Sequence, residues 1–386
     1  GDMVRWFVTA EDSMGQSRRA PAFLDPANAP QYLGTMITDR AARSFLPTLF
    51  WFVGSPGAAG TRTGARSSVC FNGQFYDNVF TRVRGATSEG VAKKSYKFEF
   101  NTGHKFRFDP DAPRVDEINI NSTFQDKAYI RPQLTYESYG DAGVVASHAA
   151  TWRIQQNGAF FSVASFVEQV DSDLLDRKGL DPEGALYKMF NGVTSSTSGV
   201  EKKTRRHENN SDLQALVNGV SPSNPNRAEY LFDHIDIPAM LNYATAGIIF
   251  QDFDRWAKNF YVYRDTNGSG EWWQIPHDKD LTFGNRFYDD EISGDGFSFE
   301  SGIPAARRRA HPFQGAAAHA CCGVSNLMID LVVNDPRTRE MYLRRLRTLM
   351  DEQLQPPGTP VAERHFESRI DDLVPTITRD AALDLN

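Results

Sequence analysis

Hydrophobic and polar residues alternate along much of the first half of the chain, in short runs that end at glycine, asparagine or proline. Period-two alternation at 79–84 and 94–100 predicts two strands on either side of a loop of small residues at 85–92. A further strand is predicted at 117–121. The pattern favours a β-sheet in this part of the chain.

The sheet is predicted to continue after one inserted helix. That helix is expected at about 125–139, with Pro132 as an irregularity near its start. Two strands follow at 151–156 and 160–170, and the Asn157-Gly158 pair between them is typical of a tight hairpin turn. We expect these strands and the earlier ones to form an antiparallel sheet.

The second half of the chain has apolar residues mainly at helical spacing. Helices are predicted from Ile237 onward and over 335–353, with a strand hairpin formed by 261–263 and 272–275 between them. The polar and basic segment 191–227 is predicted to be a solvated connection, and a loop that faces phosphate or substrate is the alternative.

These patterns divide the chain into three parts. Residues 1–34 are predicted to be the end of a preceding β-unit and a proline-rich linker. Residues 35–170 should form the sheet with its helix, and 171–386 the mainly helical part. The predicted fold class is therefore α+β, with two lobes.

Composition limits the kinds of molecule that the protein is expected to bind. The 386 residues are 40% hydrophobic and 12% aromatic, which is enough material for a large core. The formal charge of −7 comes from mixed acidic and basic residues, so no nucleic acid partner is expected. No run of eighteen apolar residues occurs, so no membrane span is expected. Cys70, Cys321 and Cys322 lack the spacing of a zinc site.

Acidic and amide residues around the predicted hairpin form the most informative pattern. Asp254 precedes Asn259 by five residues, and after the hairpin Asp278 and Asp280 precede Gly284. In protein kinases a catalytic Asp precedes a metal-binding Asn by the same interval, and a second metal-binding Asp follows a hairpin. The order and spacing predict a site for phosphoryl transfer.

Phosphoryl transfer requires these residue types, because the transferred group carries concentrated negative charge. Asp254 suits the orientation of the attacking hydroxyl. Asn259 and Asp278 offer the hard oxygen ligands that Mg²⁺ prefers. Asp280, two residues further along an expected strand, would point to the same side as Asp278 and support it.

Each carboxylate also has a structural alternative. Asp252 or Asp254 could cap a helix or turn, and Asp278 could accept backbone N–H groups at a strand end. The segment 265–270 begins like a calcium-binding EF-hand loop, but Pro276 stands at the twelfth position, where that loop needs glutamate. A hairpin turn is the better interpretation of this segment.

Several segments together, in collinear order over about residues 40–350, resemble the CotH kinase family, which includes spore coat proteins and many other, often exported, bacterial proteins. The segments that carry the resemblance are 82–85, 93–97, 166–171, 186–188, 258–264 and 275–284. The chain departs from the family at His277, where the family usually has tryptophan. This departure affects the packing of the loop that carries Asp278.

The resemblance implies an atypical, protein-kinase-like fold of two lobes. It also implies an enzyme that uses ATP and Mg²⁺ or Mn²⁺ to phosphorylate Ser or Thr of a protein substrate, at an extracellular or cell-surface location. In this comparison Asp254 is catalytic, and Asp278 binds metal.

The same comparison implies residues for the nucleotide. The segment 79–100 takes the place of the flap that covers the phosphates, and Arg84, Lys93 and Lys94 are the candidate cations, with ordinary surface charges as the alternative.

Four further residues are candidates for the nucleotide site. Lys188 matches a Leu-Tyr-Lys segment of the family, and Glu168 lies where a kinase hinge would meet adenine. Arg131 and Glu137 in the predicted helix are candidate partners of a phosphate-binding cation. Two other functions compete with an enzyme: a catalytically silent, kinase-shaped scaffold, and a calcium-stabilised binding module of an exported multidomain protein.

Overall fold

The computed structural model describes residues 2–22, 31–37, 43–85, 89–252, 258–284 and 326–384. They form two compact units, each built from separate stretches of the chain. The first unit comprises Gly1–Ile130, Ala149–Gln169 and Asp372–Asn386, and the second comprises Arg131–His148 and Val170–Asp371. We describe each unit by itself.

The first unit is built around a closed barrel of seven strands. In spatial order the strands are β10 (Ala149–Gln156), β11 (Ala159–Glu168), β9 (Glu117–Ser122), β8 (Ser95–Glu99), β7 (Gln74–Arg84), β6 (Ala65–Phe71) and β5 (Thr48–Val53). Aromatic side chains fill the barrel; the rings of Trp152 and Phe166, for example, stack at 4.2 Å. The hairpin between β10 and β11 turns at Asn157 and Gly158, both with positive φ, as the sequence predicts.

The prediction of a plain antiparallel sheet is wrong in one respect. Strands β5 and β10 pair in parallel, with Arg153 opposite Thr48, and this pairing closes the sheet into a barrel. Closure removes the two open edges that an isolated sheet would expose. Alternation along single strands does not show which distant strands meet, so the pattern could not predict this pairing.

Shorter elements complete the first unit. The strands β1 (Asp2–Trp6) and β4 (Leu33–Ile37) pair, as do β2 (Val8–Glu11) and β3 (Ser17–Ala20). A single helical turn, α1, spans Pro56–Ala59.

The second unit combines helices with a sheet of four strands. The sheet has the order β13 (Val200–Lys202), β12 (Ala185–Met189), β14 (Phe260–Arg264) and β15 (Trp272–Pro276). The helices are α2 (Arg131–Asp141), α3 (Ser172–Arg177), α4 (Ser211–Val220), α5 (Arg227–His234), α6 (Ile237–Ile249), α7 (Leu327–Asn334) and α8 (Pro336–Leu349). The last helix, α9 (His365–Ala381), continues from the second unit into residues of the first.

The segment 191–227, predicted as a connection, contains the strand β13 and the helix α4. Two of its basic residues pair with nearby carboxylates: Arg205 with Glu208 at 2.6 Å, and Lys203 with Glu201 at 2.7 Å.

The predicted helix at 125–139 begins six residues later than expected. Proline is accepted in the first turn of a helix, where the N–H that it lacks would have no helical partner, so α2 starts at Arg131 with Pro132 in its first turn. The preceding residues form a turn, in which the Asp126 carboxylate accepts the Ala128 N–H at 3.2 Å. The helix also groups with the second unit rather than with the barrel. The division into lobes at residue 170 stays a prediction.

Within the described part of the chain, no helix combines the length and the apolar character that crossing a bilayer requires.

The helix α2 is held within the second unit by a forked ion pair. Both oxygens of Glu137 accept hydrogen bonds from Arg369, at 2.9 and 2.8 Å, and Gln133 donates a third at 3.0 Å. Burial alone would raise the pKa of Glu137, but these hydrogen bonds outweigh burial and hold the pKa below its usual value of 4.5. The ionised form is therefore stabilised by folding.

We expect Glu137→Gln to lower the free energy of unfolding at pH 7 by no more than about 1 kcal/mol, because both side chains are partly exposed. The pKa of Glu137 is lower in the folded protein, so its contribution is complete above the unfolded-state value and is lost as the pH falls through the folded value. Urea unfolding of both proteins at pH 7 and at about pH 3 tests this. An equal difference at both pH values would contradict it.

Candidate active site

The helix α6 ends in a motif that turns the chain sharply towards the candidate site. The N–H of Gln251 bonds to the carbonyl of Ile248 at 3.1 Å, and the N–H of Asp252 bonds to that of Gly247 at 2.9 Å. This pattern is a Schellman motif, and it requires Gln251 to adopt a left-handed conformation, with φ of 53°. The turn brings the Asp252 side chain back into the interior, where it is buried.

The hairpin of β14 and β15 brings two predicted metal ligands to one end. Phe260 lies opposite Pro276 in the antiparallel register. One position beyond this pair, the His277 N–H donates to the Asn259 carbonyl oxygen at 3.0 Å. Asn259 therefore precedes one strand and Asp278 follows the other at the same end of the hairpin, although nineteen positions separate them in sequence.

Both residues have an uncommon backbone conformation. The φ angles of Asn259 and Asp278 are 62° and 57°, in the left-handed region. Asn and Asp tolerate this region better than other residues with a Cβ atom, but it still costs free energy. Such conformations cluster at ligand-binding sites, where the surrounding structure holds them in place. Their coincidence at one hairpin end favours a functional role.

The loop 277–284 is attached to neighbouring helices at three points. The Lys279 Nζ lies 2.7 Å from Oδ2 of Asp252. The hydroxyls of Thr282 and Thr135 are 2.8 Å apart, and the Phe283 N–H donates to the Phe250 carbonyl at 2.7 Å. The end of α6 and the helix α2 thus hold this loop, together with the hairpin itself.

Side chains along the loop alternate between solvent and interior. Asp278 is exposed, Lys279 is fully buried, and Asp280 is half-buried. The strand itself ends at Pro276, and Asp278 is left-handed, so the predicted continuation of an extended strand past Asp278 is wrong. The burial of Lys279 between the more exposed Asp278 and Asp280 is nevertheless what we expect if both carboxylates face outward.

His277, the departure from the family, is a packed residue. It is 8% exposed, and its ring meets that of Tyr261 edge-on at 5.2 Å. Its backbone N–H makes the bond to Asn259 that closes the hairpin. The imidazole is therefore packed against the sheet beside the loop.

The oxygen donors fit a hard divalent cation in their chemistry. The carboxylate of Asp278 and the amide oxygen of Asn259 are ligand types that Mg²⁺ and Mn²⁺ accept. Asp254, the predicted catalytic residue, falls in 253–257, outside the described residues. Across the described ranges, no group of three or more His, Cys, Asp or Glu side chains is arranged to hold a metal.

The three candidate cations of the first unit all have protein partners there. Arg84 donates to the side chain of Asn121. The Lys93 amine bonds to Thr123 at 2.6 Å and pairs with Asp384, and burial lowers the pKa of Lys93 although Asp384 opposes this. The Lys94 amine donates to the carbonyl of Gly60 at 2.8 Å.

The remaining candidates for the nucleotide lie on strands. Glu168 is buried at the end of β11 in the first unit, opposite Ile118. In the second unit, Lys188 is a half-buried residue of β12 between Glu201 and Tyr261, and its amine lies 5.1 Å from the Phe190 ring centroid. Arg131 begins α2, and Glu137 of the same helix is committed to Arg369.

The sequence did not indicate the role of the residues that hold the loop. Lys279 stands between two aspartates, a place where a lysine is expected to be exposed, and Asp252 was interpreted only as a candidate cap. The available signal was the apolar segment that ends just before Asp252, since a carboxylate there must find a partner if it turns inward.

Comparison with known proteins places these features in a family. Inner spore coat protein H of Bacillus subtilis (strain 168) is 25% identical over 228 residues, which cover 55% of this chain and 60% of that protein. The match thus spans less than two thirds of the relative's length. Among solved structures, a Helicobacter pylori proinflammatory kinase, CtkA, aligns with 84% of this chain and 93% of its own at 11% identity, with a TM-score of 0.27. The family model described as CotH kinase protein matches residues 81–383, most of the chain, and the protein therefore belongs to the CotH kinase family.

Proposed function

We propose that the protein is an ATP- and divalent-metal-dependent phosphotransferase that phosphorylates Ser or Thr of secreted or surface proteins. Membership of the CotH kinase family supports the reaction class. The observation that carries the proposal is the shared end of the hairpin, where Asn259 and Asp278 meet in left-handed conformations. This is the relation that a kinase needs between its metal-binding amide and carboxylate.

Each residue of the centre has a distinct task in this proposal. Asp254 orients the acceptor hydroxyl and takes up its proton. Asn259 and Asp278 would hold Mg²⁺ or Mn²⁺, which would neutralise charge on the phosphates when bound, and Asp280 would add a ligand or orient one. The attachment of the loop 277–284 keeps these oxygens in place before the substrate arrives, as preorganised catalysis requires.

For the nucleotide we propose contacts with five individual residues. Arg84, Lys93 and Lys94 are proposed for the phosphates, and Lys188 and Glu168 for other parts of ATP. Lys93 would have to exchange its contact with Asp384 for a phosphate oxygen, since that carboxylate now occupies it. Lys94 would give up only a carbonyl oxygen, so it is the easier cation to recruit.

The spore coat relative supports a protein substrate outside the cell. That relative is named as an inner spore coat protein, which favours a role in a coat or at a surface for this protein as well. We therefore propose an extracellular or cell-surface location for the reaction.

A silent, kinase-shaped scaffold is the second candidate. It is favoured by the protein partners of the cations in the first unit, above all the ion pair between Lys93 and Asp384, which is largely buried. A calcium-stabilised module has less support, because 265–271 forms the hairpin turn between β14 and β15. There the Asp265 carboxylate accepts the Ser269 N–H at 2.8 Å instead of standing open to a cation.

We expect ATP with Mg²⁺ or Mn²⁺ to stabilise the protein, and Ca²⁺ alone to leave it unchanged. A ligand present at 100 times its dissociation constant adds about 2.7 kcal/mol to the free energy of unfolding. Thermal unfolding with each ion, with and without ATP, measures this. Stabilisation by Ca²⁺ without any effect of ATP would favour the calcium-stabilised module instead.

Transfer of labelled γ-phosphate to the protein itself or to casein tests the enzyme directly. We expect Asp254→Asn and Asp278→Asn to reduce transfer by at least about 100-fold, since each removes a group that acts on the reacting atoms. Asp265→Asn, in the hairpin turn, is the matched control and should retain transfer. Transfer that survives Asp254→Asn would contradict the mechanism, and a wild type without transfer would favour the scaffold.

Asn259 should have separable roles in backbone conformation and in metal binding. Asn259→Gly should be more stable than Asn259→Ala by about 1 kcal/mol, because alanine at a left-handed position is strained and glycine is not. Both variants should lose Mn²⁺ affinity equally, since both lack the amide oxygen. Urea unfolding and a Mn²⁺ titration followed by electron paramagnetic resonance measure the two effects. Equal stability of the two variants would mean that the left-handed conformation is not retained.

A further inference from the structure

The second unit contains a buried polar cluster that the proposed chemistry does not use. Oδ2 of Asp252 accepts the Tyr139 hydroxyl at 2.9 Å and lies 2.7 Å from Nζ of Lys279. The side chains of Lys279 and Asp252 are 0% and 1% exposed, and Tyr139 is fully buried. The cluster joins three elements: the helix α2, the end of α6 and the loop 277–284.

Burying such a cluster costs desolvation free energy, which its attraction often does not recover. Two charges removed from water are seldom more stabilising than apolar side chains of the same volume, whereas a single buried charge without its partner is strongly destabilising. What a buried ion pair offers over apolar packing is direction, because the amine must lie close to the carboxylate. Here the pair fixes the inward orientation of the Lys279 side chain, and Lys279 stands between Asp278 and Asp280.

The place of Lys279 in the sequence suggests a different role, which the geometry does not support. A lysine between two aspartates of a kinase metal loop would ordinarily be assigned to the phosphates of ATP. Its amine is instead buried, 2.7 Å from Oδ2 of Asp252, while Asp278 on one side is exposed and Asp280 on the other is half-buried. Reaching a phosphate would require breaking the pair and leaving Asp252 buried without its counter-charge.

We propose that Lys279 is a positioning residue, which acts through Asp252 and Tyr139 to fix the loop 277–284 so that Asp278 and Asp280 face outward. The significance of the two carboxylates rests on the proposed phosphotransferase function; the positioning of the loop does not. The cluster also links the loop to α2, beside the second contact between Thr135 and Thr282. Displacement of α2 would therefore disturb the metal loop.

Hydrogen exchange of the loop amides tests the proposal without any need for activity. Three changes to the cluster are compared: Asp252→Asn, the apolar pair Asp252→Leu with Lys279→Met, and Tyr139→Phe, which removes only a hydroxyl. We expect amides in 277–284 to exchange at least about tenfold faster in the first two, and less so in the third, while the strands β14 and β15 keep their protection. The apolar pair should keep wild-type stability to urea, because it fills the same volume.

The matched control is another ion pair of the same unit, between Arg227 and Asp330 at 3.0 Å. Asp330→Asn should not change exchange in the loop. If the apolar pair and Tyr139→Phe both left loop exchange at the wild-type rate, the cluster would be ordinary core packing and the proposal would be overturned. If a single charge variant fails to fold, these two variants still decide the matter.

Measurements of ATP binding and phosphate transfer distinguish a failure of the positioning proposal from a failure of the proposed function. If the wild type neither binds ATP nor transfers phosphate, the proposed function fails, and the loop exchange still reports on positioning. If it is active, the apolar pair should lower kcat with little change in KM for ATP. A rise in KM for ATP at unchanged kcat would mean that Lys279 binds the phosphates after all.

Discussion

The hydrogen bond from the His277 N–H to the Asn259 carbonyl oxygen closes the β14–β15 hairpin, and the arrangement of the candidate centre depends on it. The register of the hairpin places Phe260 opposite Pro276, and this bond continues the pairing by one position. A shift of one residue would turn each side chain to the other face of the sheet. Asn259 and Asp278 would then no longer flank the same end of the hairpin in this arrangement.

The hairpin alone would not hold the residues that follow it. Among the described residues that follow, 278–284 belong to no strand, and Asp278 has a left-handed conformation that costs free energy. The loop is held instead by contacts of three kinds: the ion pair of Lys279 with Asp252, the hydroxyl contact of Thr282 with Thr135, and the backbone bond of Phe283 to Phe250. Since their partners lie on α2 and at the end of α6, the packing of helices in the second unit determines the geometry of the loop.

Local patterns predicted the parts of the fold that depend on neighbouring residues. Alternation and the Asn157-Gly158 turn gave the strands β7 to β11, and helical spacing gave α6 and α8. The closure of the barrel was not predictable, because it depends on the pairing of β5 with β10, about a hundred positions apart. The start of α2 was misplaced because Pro132 suits a first turn better than a later one.

The candidate site was predictable to a similar extent. The spacing of Asn259, Asp278 and Gly284 around a hairpin depends on local sequence, and the hairpin register brings Asn259 and Asp278 together at one end. The burial of Lys279 depends on Tyr139 and Asp252, which approach it only through the tertiary fold, so no local pattern could indicate it. Local sequence also could not indicate the contacts of Lys93 with Asp384 and of Arg84 with Asn121, because the tertiary fold brings these residues together.

The location of a bound Mn²⁺ ion tests the central claim most directly. Crystals grown with Mn²⁺ and a non-hydrolysable ATP analogue, measured at the manganese absorption edge, would show the ion by its anomalous scattering. We predict a peak at coordination distance, about 2.0–2.6 Å, from the Asn259 amide oxygen and from an Asp278 carboxylate oxygen. Bound analogue with Mn²⁺ that contacts neither residue, or no Mn²⁺ at saturating concentration, would contradict it.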